Sequence, residues 1–237
     1  MGTEAHPAYA ASVEDALESL GSDRIRGLSA AQVSEKRARF GRNQLAEAPP
    51  VPLWKKLLAQ FKELVIWILI VAAIISGAMG EWADTLAILA IVLMNGIIGF
   101  LQEEKAERAL AALQKMSAPT ARVIRDGARQ SLPASELVPG DVVDLEAGDN
   151  IPADVRLMDG FSFRVQEATL TGESTSVDKE PDCLLSPATS LGDRRNMAFM
   201  GTVAAAGKAG GVVVAIGMNT ELGHIAGLLQ RYEPGPT

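Results

Sequence analysis

Thr171-Gly172-Glu173-Ser174 is the stretch of this sequence best equipped for chemistry. Its glycine lets the backbone come close to a partner, and the adjacent carboxylate can orient or deprotonate a water. The same four residues also read as a polar turn between strands, and taken alone they leave both readings open. Two further blocks precede them, Pro139-Gly140-Asp141-Val142-Val143 and Gly148-Asp149-Asn150-Ile151-Pro152-Ala153-Asp154. Asp149 and Asp154 bracket a segment with neither the length nor the ligand order of an EF-hand, so turn hydrogen bonding is their expected role. Gly201 to Lys208 superficially suggests a phosphate-binding loop. Five residues separate its glycines, however, and Ala209 stands where a magnesium-binding Ser or Thr would be, so turns between strands are expected there. A single cysteine, Cys183, excludes an internal disulfide and a cysteine-based metal cage.

These groups need elements to hold them, and charge distribution divides the chain. The 237 residues carry 22 Lys and Arg against 29 Asp and Glu, a net charge of −7, with two histidines. That balance argues against nucleic-acid binding, which requires a basic face. Residues 64–80 and 85–102 are uncharged runs of 17 and 18 residues, each near the minimum for a helix crossing a ~30 Å hydrocarbon layer. A pair of buried core helices is the competing reading, and two adjacent uncharged runs of membrane length favour the crossings. Only Glu81 to Asp84 separates the runs, which predicts a tight helical hairpin. Lys55, Lys56 and Lys62 precede it and Lys105, Arg108 and Lys115 follow it, whereas its tip carries Glu81 and Asp84. By the positive-inside rule both ends are expected in the cytoplasm, with Trp82 at the outer interface. Asn95, inside the second run, is expected to make an interhelical hydrogen bond rather than line an ion path.

The remaining chain reads as helices, then strands. Ser12 with Asp15, and Ser29 with Gln32, resemble capping boxes, the second opening a helix that ends at Phe40 before Gly41. Pro49, Pro50 and Pro52 mark a linker before Trp54. Ala106, Ala109, Leu110 and Leu113 recur at helical spacing after the second apolar run, predicting an amphipathic stalk that Ser117 and Pro119 end. Beyond Thr120, short β-branched runs are expected as strands at 122–125, 129–132, 142–145, 155–158, 161–165, 200–205 and 211–216, with Asp126-Gly127 as a hairpin turn. Residues 221–230 read as a helix. The expected fold class is an α+β membrane protein: a transmembrane helical hairpin plus a cytoplasmic all-β domain, sandwich or jelly-roll-like, with N-terminal helices. The expected divisions are 1–53, 54–116, 117–222 and 223–237.

In this order and spacing the three blocks resemble the actuator domain of P-type cation-transporting ATPases. Lys179, Asn196-Met197-Ala198-Phe199, Gly201-Thr202, Gly207, Gly217 with Thr220, and Gly223 extend the resemblance. Gly27-Leu28-Ser29 through Phe40-Gly41-Arg42-Asn43 is similar to the N-terminal segment of the calcium- and sodium-pump branches. Phe61-Lys62-Glu63-Leu64 and Gln102-Glu103 with Ala106-Glu107 look like the first two membrane helices of calcium-type pumps. Departures are modest: Gln166 and Ala168 stand where Asp and Ser are common, and Ser176 replaces a frequent proline.

The resemblance implies that the Thr171–Ser174 loop serves dephosphorylation of an aspartyl-phosphate intermediate, with Glu173 positioning the attacking water. Thr171 and Ser174 would shape the loop and Gly172 would permit its close approach. It also implies an integral location in the cell membrane, with both termini and the β domain cytoplasmic, and contact with membrane lipid. Calcium is the ion expected by branch. The Asp-Lys-Thr-Gly-Thr phosphorylation motif does not occur in these residues, whose Asp-Lys pair is Asp178-Lys179. ATP and Mg2+ are therefore expected only in a complete pump, which would supply the phosphorylation and nucleotide-binding domains and the ion sites. The chain alone is expected to be inactive as a hydrolase, as the N-terminal part of such a pump. A split subunit or non-enzymatic membrane module acting on an intact pump is the alternative expectation.

Overall fold

Local sequence sets the helix ends where side chains satisfy the free backbone groups. In the computed structural model, which describes residues 7–46, 52, 54, 64–116, 119–173 and 175–232, α1 (Val13–Ser19) begins at Ser12. The Ser12 hydroxyl oxygen accepts from the Asp15 N–H at 3.1 Å and in turn donates to the Asp15 carboxylate. Ser29 and Gln32 form a reciprocal capping box for α2 (Ala30–Phe40), and Gly41 ends it with φ 76°. Pro49, Pro50, Lys55, Lys56, Lys62, Ser117 and residues 233–237 lie outside the described residues.

The chain divides into two compact units, 47–117 and the combination of 1–46 with 118–237. The first holds α3 (Leu64–Ala78) and α4 (Trp82–Met116), joined by a tight turn in which Gly80 has φ 86°. Ile66, Ala73 and Val92 are buried along the seam between these helices, where the Thr85 hydroxyl donates to the Ala73 carbonyl at 3.4 Å. Most other large apolar side chains of both helices are exposed, among them Trp67, Ile74, Leu86, Leu93 and Ile97. At ~1.5 Å per residue the 35-residue α4 is about 52 Å long. Its Trp82–Leu110 stretch is long and apolar enough to cross a membrane by length and composition, and Val65–Ala78 is a shorter apolar helix. Asn95 is exposed on α4.

The second unit is built on one antiparallel sheet. Its strands are β1 (Thr120–Arg125), β2 (Ala128–Pro133), β3 (Val142–Glu146), β4 (Asp154–Gln166), β5 (Ser176–Asp178), β6 (Met197–Ala198) and β7 (Val203–Ala215). The order is β2-β1-β3-β7-β4-β5, with β6 also pairing to β4. Asp126 and Gly127 turn the first hairpin with φ 50° and 75°, the left-handed pair that a two-residue hairpin needs.

The expected strands at 155–158 and 161–165 are one strand, β4, and those at 200–205 and 211–216 are one strand, β7, which starts only at Val203. The two pair along nearly their full length through several register shifts. Asp159-Gly160 reads locally as a turn but forms a bulge, with Asp159 Oδ1 accepting the Gly210 N–H at 3.0 Å. Gly207, expected in a turn, lies inside β7 at φ 73°, where a Cβ would stand 2.3 Å from the carbonyl oxygens of Phe161 and Ser162. Met200 and Gly201, assigned to a strand by their apolar flanks, form a turn instead.

The core lies on the face where Val123, Val143, Leu145, Val155, Leu157, Phe163 and Val213 converge. On the other face Val142, Met158 and Val212 meet Val13 and Leu17 of α1, so the central strands are covered on both sides. Val33 of α2 packs with Leu28 and Val138. Hydrogen bonds tie the N-terminal segment down further. Buried Asn43 donates to the Ala134 and Pro152 carbonyls at 2.9 and 2.7 Å and accepts from the Gly217 N–H at 2.8 Å. Arg156, 1% exposed, donates to the carbonyls of Ala8 and Ala11, and Asn196 donates to that of Tyr9. The helix α6 (Glu221–Tyr232) closes the described chain.

Candidate functional site

The Thr171-Gly172-Glu173 segment hangs on a single helical turn, α5 (Ala168–Thr171), which follows the end of β4. A plain turn between strands was the local expectation. The extra helical turn forms because the Glu167 carbonyl accepts the Leu170 and Thr171 N–H groups at 2.9 and 3.0 Å and the Thr171 hydroxyl at 3.1 Å. Gly172 then reverses the chain with φ 78° and ψ −4°, its N–H returning to the Ala168 carbonyl at 3.0 Å. A side chain on a residue in that conformation would be strained, which explains the glycine. Glu173 follows with its N–H donating to the Thr171 hydroxyl oxygen at 3.3 Å. Ser174 lies outside the described residues.

Thr171, Gly172 and Glu173 are all exposed. A Cβ placed on Gly172 meets nothing within 4 Å, so Gly172 itself faces open space, while the Thr171 methyl lies beside Gly192. Among the described residues, no hydrogen bond or ion pair engages the Glu173 carboxylate. The segment is thus an exposed turn presenting a carboxylate that is unpaired among the described residues.

Beneath it the chemistry is reversed. Glu167 and Lys179, at the two ends of the excursion, have side chains 1% and 0% exposed and meet at 2.6 Å between Oε1 and Nζ. Burial pushes the Glu167 carboxyl up and the Lys179 ammonium down, each opposed by the partner's charge. Among the described residues, Glu167 Oε2 has no hydrogen-bond partner. Lys179 also sits 5.7 Å from the centre of the buried Phe199 ring. Thr169 adds a bond from its hydroxyl to the Gly201 carbonyl at 3.1 Å.

The other blocks singled out in the sequence are architectural. Asp141 is fully buried and takes Arg125 in a two-point contact at 2.7 and 2.6 Å, while accepting the Val138 N–H at 2.8 Å. Asp149 accepts the Glu146 N–H at 2.8 Å and pairs with Arg122, the turn bonding expected of it. Asp154, expected in the same role, instead reaches across the fold. Its two oxygens accept the N–H groups of Met200 and Glu221 at 2.9 and 2.8 Å, joining β4 to the start of α6. Burial pushes its carboxyl up to about 6 against those bonds.

Of these blocks, therefore, Thr171–Glu173 offers an exposed carboxylate, unpaired among the described residues, to a partner. Two family models cover most of the chain: residues 115–230 match the P-type ATPase actuator domain, and residues 8–76 match the cation transporter/ATPase N-terminus. Over these residues the chain belongs to the P-type cation-transporting ATPases. A calcium-transporting ATPase of Bacillus subtilis is 44% identical over 216 residues, covering 91% of this chain and 24% of that protein. A probable cation-transporting ATPase F of Mycobacterium tuberculosis is 43% identical over 214 residues, 90% of this chain and 24% of that protein. An endoplasmic reticulum-type calcium-transporting ATPase 3 of Arabidopsis thaliana is 42% identical over 229 residues, 92% and 23% respectively. The chain spans about a quarter of the length of the relatives it matches. What is present is the N-terminal and actuator region of such an ATPase.

The sequence singles out Thr171, Gly172 and Glu173 as candidates and gives no such prominence to Glu167. A lone glutamate after a strand ordinarily reads as solvated. The one signal bearing on it was Lys179, which belonged to the resemblance but had no assigned partner.

Proposed function

We propose that this chain supplies the dephosphorylation loop of a calcium-transporting P-type ATPase, with Glu173 orienting the hydrolytic water. The observation that carries the reading is the exposed carboxylate of Glu173, unpaired among the described residues and set on a turn shaped by Gly172 and Thr171. Such a protrusion suits docking onto a phosphorylated aspartate carried outside these 237 residues. Water oxygen forms a bond to phosphorus, the phosphorus–aspartate oxygen bond breaks, and the aspartate leaves as carboxylate with inorganic phosphate. Glu173 accepts a hydrogen bond from the water and takes its proton as the new bond forms. Little covalent chemistry is asked of the protein, and positioning supplies the rate. Thr171 and Ser174 shape the loop. The phosphate acceptor, the sites for ATP and Mg2+, and the cation sites belong to other parts of the pump, so the chain by itself hydrolyses no ATP.

In this reading α3 and α4 form a hairpin across the cell membrane. Both chain ends and the β unit lie in the cytoplasm, and the exposed apolar side chains of α3 and α4 meet lipid and further helices.

The test uses a chimera in which this chain replaces the matching region of the Bacillus subtilis calcium-transporting ATPase. With γ-labelled ATP, Glu173→Gln leaves phosphoenzyme formation intact and slows its decay roughly a hundredfold or more. Decay at the parent rate overturns the role of Glu173. Radiolabel on the unfused chain overturns its inactivity.

A further inference from the structure

We propose that the buried Glu167–Lys179 ion pair is a positioning device that holds Glu173 in place, an inference that rests on the dephosphorylation reading of its loop. The connection is a chain of short contacts. Lys179 Nζ donates to the Glu167 carboxylate at 2.6 Å, and the Glu167 carbonyl accepts the Thr171 hydroxyl at 3.1 Å. The Thr171 hydroxyl oxygen in turn accepts the Glu173 N–H at 3.3 Å. Three links therefore lead from the core to the backbone of the functional carboxylate.

The pair also closes the excursion. Glu167 follows β4 and Lys179 follows β5, whose pairing with β4 continues in a bond from the Lys179 N–H to the Phe163 carbonyl at 2.9 Å. The side-chain contact thus joins the residue before α5 to the residue after β5, beside the β4–β5 pairing. That contact is a poor way to gain stability. Both charges are buried, and among the described residues Glu167 Oε2 is left without a hydrogen bond. Replacing a buried ion pair with apolar side chains of similar volume is often neutral or stabilising. What two fixed charges supply and oily side chains do not is direction. The ammonium fixes where the Glu167 carboxylate points, and so the orientation of the residue whose carbonyl starts the helical turn.

The test is made on the 237-residue chain with a glutamate-specific endopeptidase under native conditions. The rate of cutting after Glu173 is followed by peptide mass, with cutting after Glu136 and Glu146 as internal controls. Thermal unfolding is recorded beside it. The informative variant is the double replacement Glu167→Leu with Lys179→Met, which leaves no unpaired charge; the single variants Glu167→Gln and Lys179→Met accompany it. The double variant is expected to unfold near the parent temperature yet be cut after Glu173 on the order of tenfold faster, with the control sites unchanged, as for loss of local order alone. Cutting after Glu173 at the parent rate overturns the proposal, because the pair then only fills space. An equal rise at all three sites in the double variant overturns it as well, because the pair then serves the whole fold. No ATP enters this measurement, so its failure is separate from that of the dephosphorylation reading. Unchanged phosphoenzyme decay in Glu173→Gln would remove the loop's function and leave its anchoring untouched.

Discussion

Gly172 and Gly207 have nearly the same left-handed backbone, φ 78° and 73°, and opposite surroundings. At Gly172 an added methyl meets nothing within 4 Å, so Gly172→Ala costs only the strain of the conformation, about 1 kcal/mol. At Gly207 the methyl would lie 2.3 Å from two backbone oxygens, and the β4–β7 pairing must open to admit it. Gly207→Ala is expected to cost more than about 3 kcal/mol. Urea unfolding of the two variants measures the gap, and equal losses would contradict the close approach at Gly207. The sequence made Gly172 and Glu173 legible because they fall in a recognisable run with blocks in order around it. Glu167 was not legible. Its burial depends on a lysine twelve positions away, and no local periodicity announces such a pairing.

At the scale of elements, Asp154 is the clearest joint. It ties the start of β4 to the Met200 turn and to the first turn of α6. Burial raises its carboxyl to about 6 from 3.8, so between those values the folded chain holds a proton that the unfolded chain has released. Stability from this group therefore grows as pH falls through 6 toward 4 and is lost as pH rises back through that window. Relative to Asp154→Asn, the parent should gain about 2 kcal/mol in urea-unfolding free energy between pH 8 and pH 4.5. A difference that stays flat with pH would mean that burial leaves the carboxyl unshifted. Helix starts were readable because Ser12 and Ser29 carry their own caps. Strand limits were less so. Asp159-Gly160 and Gly207 look like punctuation in a sequence, yet in a long bulged pair they bend strands rather than end them. Asp154 looked like a turn residue because its two partners lie 46 and 67 residues away.

At the scale of the whole molecule, the two uncharged runs stood out through what they lack. The hairpin reading predicts the labelling of single cysteines placed in a Cys183→Ser background. A membrane-impermeant maleimide added to intact cells should label Glu81→Cys, at the helical turn, and should label Thr120→Cys only after permeabilisation. The reverse pattern would invert the topology. The docking of residues 7–46 onto the β unit was not legible, since Arg156, Asn196 and Asn43 achieve it by bonding to backbone carbonyls, which any sequence offers. That docking makes the unit discontinuous, and discontinuity is a matter of timing. Val13, Leu17, Leu28 and Val33 leave the ribosome well before Val138, Met158 and Val212, the residues that cover them. At ~5–20 residues per second the waits run from roughly five to forty seconds, and both apolar helices are synthesised within them. If the hairpin inserts as proposed, the N-terminal segment passes the whole of membrane insertion with its sticky face uncovered. It depends on chaperones or on its own marginal helices until the strands arrive.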